Sequence, residues 1–231
     1  MRRYFNLPAI SALTVLACCL LACSDSKSSY FPVEKGNRWQ YEIETNTVEG
    51  ARKQKDILQA LGPAKTAEAH LYRFRSASGQ ESIIRVSAEE VRLVKALEPR
   101  LEFDTTLLRF PIESGNSWES VITTSTIATF DRKAGDFIED VPVTATVESL
   151  EETVLVPAGK FRHCLKVSYV GEKRIPKGTY AYQETMTLKI INNRWYAKGV
   201  GLVREEHQEI SGVLEYPDSG YIKVLDRFSA P

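Results

Sequence analysis

Three stretches of this sequence alternate apolar and polar side chains with a period of two, and that pattern leaves little room for anything but antiparallel β-structure. Residues 141–147 are apolar at 141, 143, 145 and 147, with Thr at 144 and 146. Within 161–169, positions 161, 165, 167 and 169 make one apolar face; within 180–190 the even positions are apolar except Glu184. A strand sends successive side chains to opposite faces, so alternation marks a half-buried strand. Further strands are predicted at 37–46, 70–75, 81–87, 90–97, 117–129, 199–209 and 221–228. Turn-forming clusters at 76–79, 156–159 and 217–220 separate them, the first as a hairpin. Helical spacing is thin: Ile57, Leu58 and Leu61 permit one short helix in 52–61, and 62–69 reads as a loop. With 231 residues and 43% hydrophobic content, the chain can build one domain with a real core.

The strands come with an internal repeat. Phe31-Pro-Val-Glu-Lys-Gly-Asn-Arg-Trp39 matches Phe110-Pro-Ile-Glu-Ser-Gly-Asn-Ser-Trp118, each leading into a predicted strand. Proline holds the approach extended, Gly-Asn tolerates a turn, and Trp anchors the strand that follows. Trp39 and Trp118 are therefore either equivalent strand entries in a duplicated sheet or a repeated ligand subsite.

The N-terminus carries an address. Arg2 and Arg3 precede an apolar run from Ala9 to Ala22, too short for the ~20 residues of a membrane span. Leu20-Leu21-Ala22-Cys23 follows, then the polar Ser24-Asp25-Ser26-Lys27-Ser28-Ser29. This arrangement resembles the lipobox of bacterial lipoproteins. The resemblance implies a signal peptide over 1–22, lipid on the Cys23 sulfur, a Ser-rich tether to residue 29 and a β-rich domain over 30–231. Val15-Leu16-Ala17-Cys18 is a competing register with a shorter apolar run. Ser24, rather than Asp, after the lipidated cysteine implies the outer membrane, facing the periplasm. Of the four cysteines, Cys18 and Cys19 would leave with the signal, Cys23 would hold lipid, and Cys164 alone would remain. Neither an internal disulfide nor a four-cysteine zinc site can then form. Loss of Arg2 and Arg3 takes a precursor of net charge 0 to a mature charge of −2, which argues against a nucleic-acid partner.

Residues that could carry chemistry are few. His70, His163 and His207 show no metal-ligand spacing, and Glu205-Glu206-His207 is expected on a solvated strand face. His163 shares parity with Phe161, Leu165 and Val167, so it is expected partly buried among them. Cys164 has the opposite parity, beside Arg162 and Lys166, with no resolving cysteine or paired histidine. No Gly-x-Ser-x-Gly, phosphate-binding loop or dinucleotide fingerprint occurs. Ser24-Asp-Ser-Lys27 lies in the tether, where nothing could preorganise a site. The expectation is a protein that is not an enzyme, with no cofactor and no metal.

The Phe-Pro-x-x-x-Gly-Asn-x-Trp entries, Val156-Pro-Ala-Gly-Lys-Phe-Arg-His-Cys-Leu-Lys-Val167 and Trp195-Tyr-Ala-Lys-Gly-Val-Gly-Leu-Val-Arg204 together resemble a family of bacterial lipoproteins that includes TapB-like proteins. That resemblance implies a single strongly curved antiparallel sheet with an internal repeat, half-barrel-like, with kinship to LolA/LolB-type half-barrels and at most one or two short helices. Alternating Gly199 and Gly201 fit such bending, or the close approach of a ligand. Ten Tyr, nine Phe and three Trp could line a concave face for an apolar ligand or acyl chain, or simply fill a core. Trp39, Trp118, Trp195, Gly199 and Gly201 are the candidate ligand-facing or core positions. Partners expected are the membrane, through the lipid, and an apolar ligand. An envelope protein met at an exposed sheet edge is the alternative, as a structural accessory to an assembly machine.

Overall fold

The computed structural model describes residues 30–47, 50–65, 70–96, 105–124, 126, 138–177, 184–214 and 216–231. Cys23, the signal segment and the tether lie outside the described residues, as do positions 180–183 and 127–129 of two predicted strands. What is described is all β, in chain order β1 (Arg38–Thr47), β2 (Gly50–Pro63), β3 (Leu71–Ser76), β4 (Glu81–Val86), β5 (Glu90–Ala96), β6 (Thr105–Arg109), β7 (Ser117–Thr123), β8 (Asp140–Val156), β9 (Gly159–Lys177), β10 (Glu184–Ala197), β11 (Gly201–Ile210) and β12 (Ser219–Ser229).

The strands form one antiparallel sheet in the order β6-β5-β4-β3-β2-β1-β12-β11-β10-β9-β8-β7. Two six-stranded meanders therefore join through β1 and β12, and the sheet curls until its end strands face each other. The curvature goes beyond a half-barrel to near closure. The seam is closed by side chains. Thr105 Oγ1 donates to Val121 O (2.9 Å), and Trp118 Nε1 and Ser120 Oγ donate to Thr106 O (3.3 and 3.1 Å). Tyr169 OH reaches Leu107 O. Three of these four bonds occupy β6 carbonyls that a neighbouring strand would otherwise take.

Each meander opens with one copy of the repeated motif, and both copies fold alike. Asn37 N donates to Glu34 O and Asn116 N to Glu113 O, both at 3.1 Å. Gly36 and Asn37 exchange backbone bonds with Ala60, as Gly115 and Asn116 do with Val147. Gly36 (φ 103°) and Gly115 (φ 85°) sit where other residues are strained. The repeat thus marks equivalent strand entries in a duplicated sheet.

Alternation places Val141, Val143, Ala145 and Val147 of β8 inside, with Val167 and Tyr169 of β9 and Leu188 and Ile190 of β10. Three expectations change. Residues 52–61 are strand rather than helix, because all ten residues of β1 pair with β2, Trp39 opposite Leu58. His163 is exposed while Cys164 and Leu165 are both buried. Its φ of 54° and the register shifts along the β8–β9 pair break the alternation there. Gly199 lies in the turn between β10 and β11 (φ 73°), so it does not share a strand face with Gly201.

Two glycines, Gly171 and Gly220, are required by close approach. A β-carbon at Gly171 would stand 2.0 Å from Pro142 O and 2.8 Å from Val143 Cα. Relief demands a backbone shift in β8, so Gly171→Ala is expected to cost at least about 1–3 kcal/mol, read as a lower denaturant midpoint at unchanged slope. An unchanged midpoint would contradict the contact.

Candidate ligand site in the barrel

The register of three strands assembles a polar floor inside the barrel. Across β10–β11, Arg194 stands opposite Glu205 and Asn192 opposite His207. Across β11–β12, Glu205 stands opposite Lys223 and His207 opposite Tyr221. All face inward, because Val203, Glu205, His207 and Glu209 alternate into the interior. Arg194 Nε donates to Glu205 Oε1 at 2.8 Å, and Asn192 Nδ2 donates to the same oxygen at 2.9 Å. Burial would raise the Glu205 pKa, but the Arg194 and Lys223 charges and the two hydrogen bonds outweigh it and bring it down to about 2. Burial raises Tyr41, Tyr169 and Tyr221 well above the usual phenol range, with Glu205 adding to the effect at Tyr41 and Tyr221.

His207 is 2% exposed and Glu209 0%. The expected solvated face is therefore interior: Glu205 and His207 share parity with Val203, not with solvent-facing Glu206. His207 Nε2 lies 2.8 Å from Glu209 Oε1, Nδ1 lies 3.0 Å from Asn192 Nδ2, and Tyr221 stacks on the ring at 5.0 Å. Both ring nitrogens are engaged, so the imidazole is not presented to a substrate as a base or ligand. Asn192 Oδ1 is buried without a partner among the described residues. Among those residues no group of three or more His, Cys, Asp or Glu is placed to hold a metal.

Above this floor the first meander is incompletely filled. A cavity of about 260 Å³ is walled by Phe31, Pro32, Trp39, Leu58, Phe74, Ile84, Leu93 and Leu107, with Arg194, Glu205 and Lys223 at its base. Trp39 is fixed by Nε1 donating to Val200 O (2.6 Å) and packs 6.0 Å from Phe74, while Tyr41 OH donates to Leu202 O (3.0 Å). Gly201 (φ 94°) lies against Pro32 and Trp39 in this wall.

The other candidates fall elsewhere. Trp118 is buried edge-to-face against Tyr169 at 6.4 Å, and a further cavity of about 360 Å³ lies beside Phe110 and Pro111, the counterparts of Phe31 and Pro32, with Glu151, His163 and Lys198 in its lining. Trp195 has the opposite parity to Arg194 and Tyr196; it lies half-buried on the outer face, with Lys166 5.4 Å and Arg204 5.7 Å from its ring. Gly199 is exposed in its turn. The polar row, which strand-by-strand reading missed, had one signal. Pairing 190–197 with 201–210 about a turn at 198–200 brings Arg194 within one residue of Glu205, and a bulge between Trp195 and Tyr196 sets the two opposite each other.

A family model described as DUF3108-like matches residues 90–215, more than half of the chain. The chain belongs to the DUF3108-like family. The match runs from β5 to beyond β11, so it includes Arg194, Glu205 and His207 but not the Phe31–Trp39 wall. Among curated proteins none matches this DUF3108-like chain. In fold it is similar to the crystal structure of a protein described as a lipoprotein from Parabacteroides distasonis ATCC 8503 (TM-score 0.51, 19% identity, 87% of this chain and 98% of that one). Weaker likenesses are to an exported protein with a YmcC-like fold from Bacteroides fragilis NCTC 9343 (TM-score 0.43, 16% identity, 87% and 99%) and to the hypothetical lipoprotein YmcC of Escherichia coli K12 (TM-score 0.38, 11% identity, 85% of each chain).

Proposed function

We propose that this DUF3108-like protein is a non-enzymatic lipoprotein of the bacterial envelope that holds an apolar ligand in the cavity beside Trp39. The observation that carries the reading is the aromatic-walled cavity beside Trp39, with three charged side chains gathered at its base. Apolar walls with a few convergent polar groups are the usual make-up of a small-molecule site. The lipobox and the Ser24 rule support an outer-membrane anchor at Cys23 facing the periplasm. Seven residues then separate Cys23 from Phe31 in the cavity wall, a reach of at most about 29 Å over eight extended steps. The cavity would lie within reach of the membrane from which an apolar ligand must come. Kinship with TapB-like proteins and LolA/LolB half-barrels belongs to the same proposal, supported by the curved sheet and its concave apolar interior.

A structural role through a sheet edge has less support. A strand added at β6 would compete for Thr106 O and Leu107 O, which already accept bonds from Trp118, Ser120 and Tyr169.

Native mass spectrometry of the protein extracted gently from membranes tests the proposal. A bound apolar molecule is expected on the native protein and is expected to be absent from Leu58→Trp, whose indole fills the cavity. Native protein without adduct, and without uptake of added lipid, would refute it.

A further inference from the structure

The two cations at the cavity floor are not equivalent. Arg194 is committed: Nε is bonded to Glu205 and the guanidinium lies 4.9 Å from the Tyr169 ring centre. Lys223 lies over the Tyr41 ring at 4.5 Å, and its ion pair with Asp56 spans 3.6 Å, longer than an N–H···O hydrogen bond. Its ammonium therefore has donors to spare, in a position only 20% exposed. Asp56 is the wetter partner at 28% and can be left to water when the ammonium turns to another acceptor. Glu205 Oε1 is already held by Arg194 and Asn192, so the Lys223 charge that also steadies this carboxylate is not its only support.

We infer that the cavity binds a single-chain anionic amphiphile, with a carboxylate or phosphate head on Lys223 Nζ and its chain among Phe31, Trp39, Phe74 and Leu107. This rests on the ligand-holding reading above and adds the head-group chemistry to it. A charge-assisted hydrogen bond in a largely dry site favours an anion over a neutral head of the same length. The volume, about 260 Å³, falls just below the range of about 300–1,000 Å³ usual for ligand pockets, which suits one chain better than two.

The test is calorimetric titration of the mature polypeptide, residues 24–231, with a long-chain fatty acid, an alkyl phosphate and a fatty alcohol of equal chain length. Both anions are expected to bind about tenfold or more tighter than the alcohol, a difference of about 1.4 kcal/mol or more. Lys223→Met is expected to erase that preference by weakening binding of both anions far more than that of the alcohol. Asp56→Asn, which keeps the lysine and frees it, is expected to tighten anion binding several-fold and keeps the question answerable should Lys223→Met fail to fold. The relative affinity of the two anions assigns the head as carboxylate or phosphate. If anions and alcohol bind the native protein equally, or if neither substitution changes the preference, the head-group inference fails while the ligand reading stands. If none of the three binds, both fail.

Discussion

Replacing Cys23 with Ala is expected to abolish labelling by radioactive fatty acid and to release the protein from the membrane fraction entirely. The lipobox puts the acyl chains on the Cys23 sulfur, which Ala lacks. Acyl chains hold a protein to a membrane at about 0.8 kcal/mol for each buried methylene, and that affinity goes with them. Labelling and fractionation of Cys23→Ala and Cys18→Ala side by side decide the register. Should the first keep its label and the second lose it, the mature chain begins at Cys18.

The second large effect is expected at Arg194. Arg194→Met leaves Glu205, 5% exposed, as a buried charge without its main partner. Breaking such a pair from one side costs about 3–5 kcal/mol, whereas replacing both members with apolar side chains is often neutral. Arg194→Met should therefore lower the unfolding free energy by that amount, and Arg194→Met with Glu205→Met should recover most of it. Near-equal stability of Arg194→Met and native protein would show that the pair is not what holds the floor. The pair also sets an acid dependence. The Glu205 carboxyl sits at about 2 when folded against an ordinary value of 4.5. Its contribution, on the order of 3 kcal/mol, is complete above 4.5 and is lost as pH falls towards 2. In denaturation curves at pH 7 and pH 3 the native protein should lose more stability than the Arg194→Met, Glu205→Met double variant, in which other paired carboxylates such as Glu81 still titrate.

Local signals proved legible where the structure itself is local. Alternation in 141–147 became the inward face of β8, and 76–79 became the β3–β4 turn with Gly79 at φ 86°. The shared Phe-Pro-x-x-x-Gly-Asn-x-Trp entries became two copies of one hydrogen-bonded turn. Reading failed where a bulge or a distant partner intervened. At His163 a single left-handed residue, with register shifts beside it, slips the parity, and no periodicity count registers such a slip. In 52–61 the Ile57, Leu58 and Leu61 spacing fits a helix face, but pairing with β1 outweighs local preference.

The sequence alone determined the strand-rich character, the duplication and the motif that points to a lipid anchor, because each is written in neighbouring residues. Only the tertiary structure decided what each copy of the motif packs against. Trp118 meets Tyr169 from another strand edge-to-face. Trp39 meets Phe74 and Phe228 at 6.0 and 5.5 Å and still borders a cavity. The same holds for charge. Arg194, Glu205 and Lys223 look like solvent-facing residues one strand at a time. The register of β10, β11 and β12 sets them in one row inside the barrel, where a carboxylate stays ionised only because cations stand across from it.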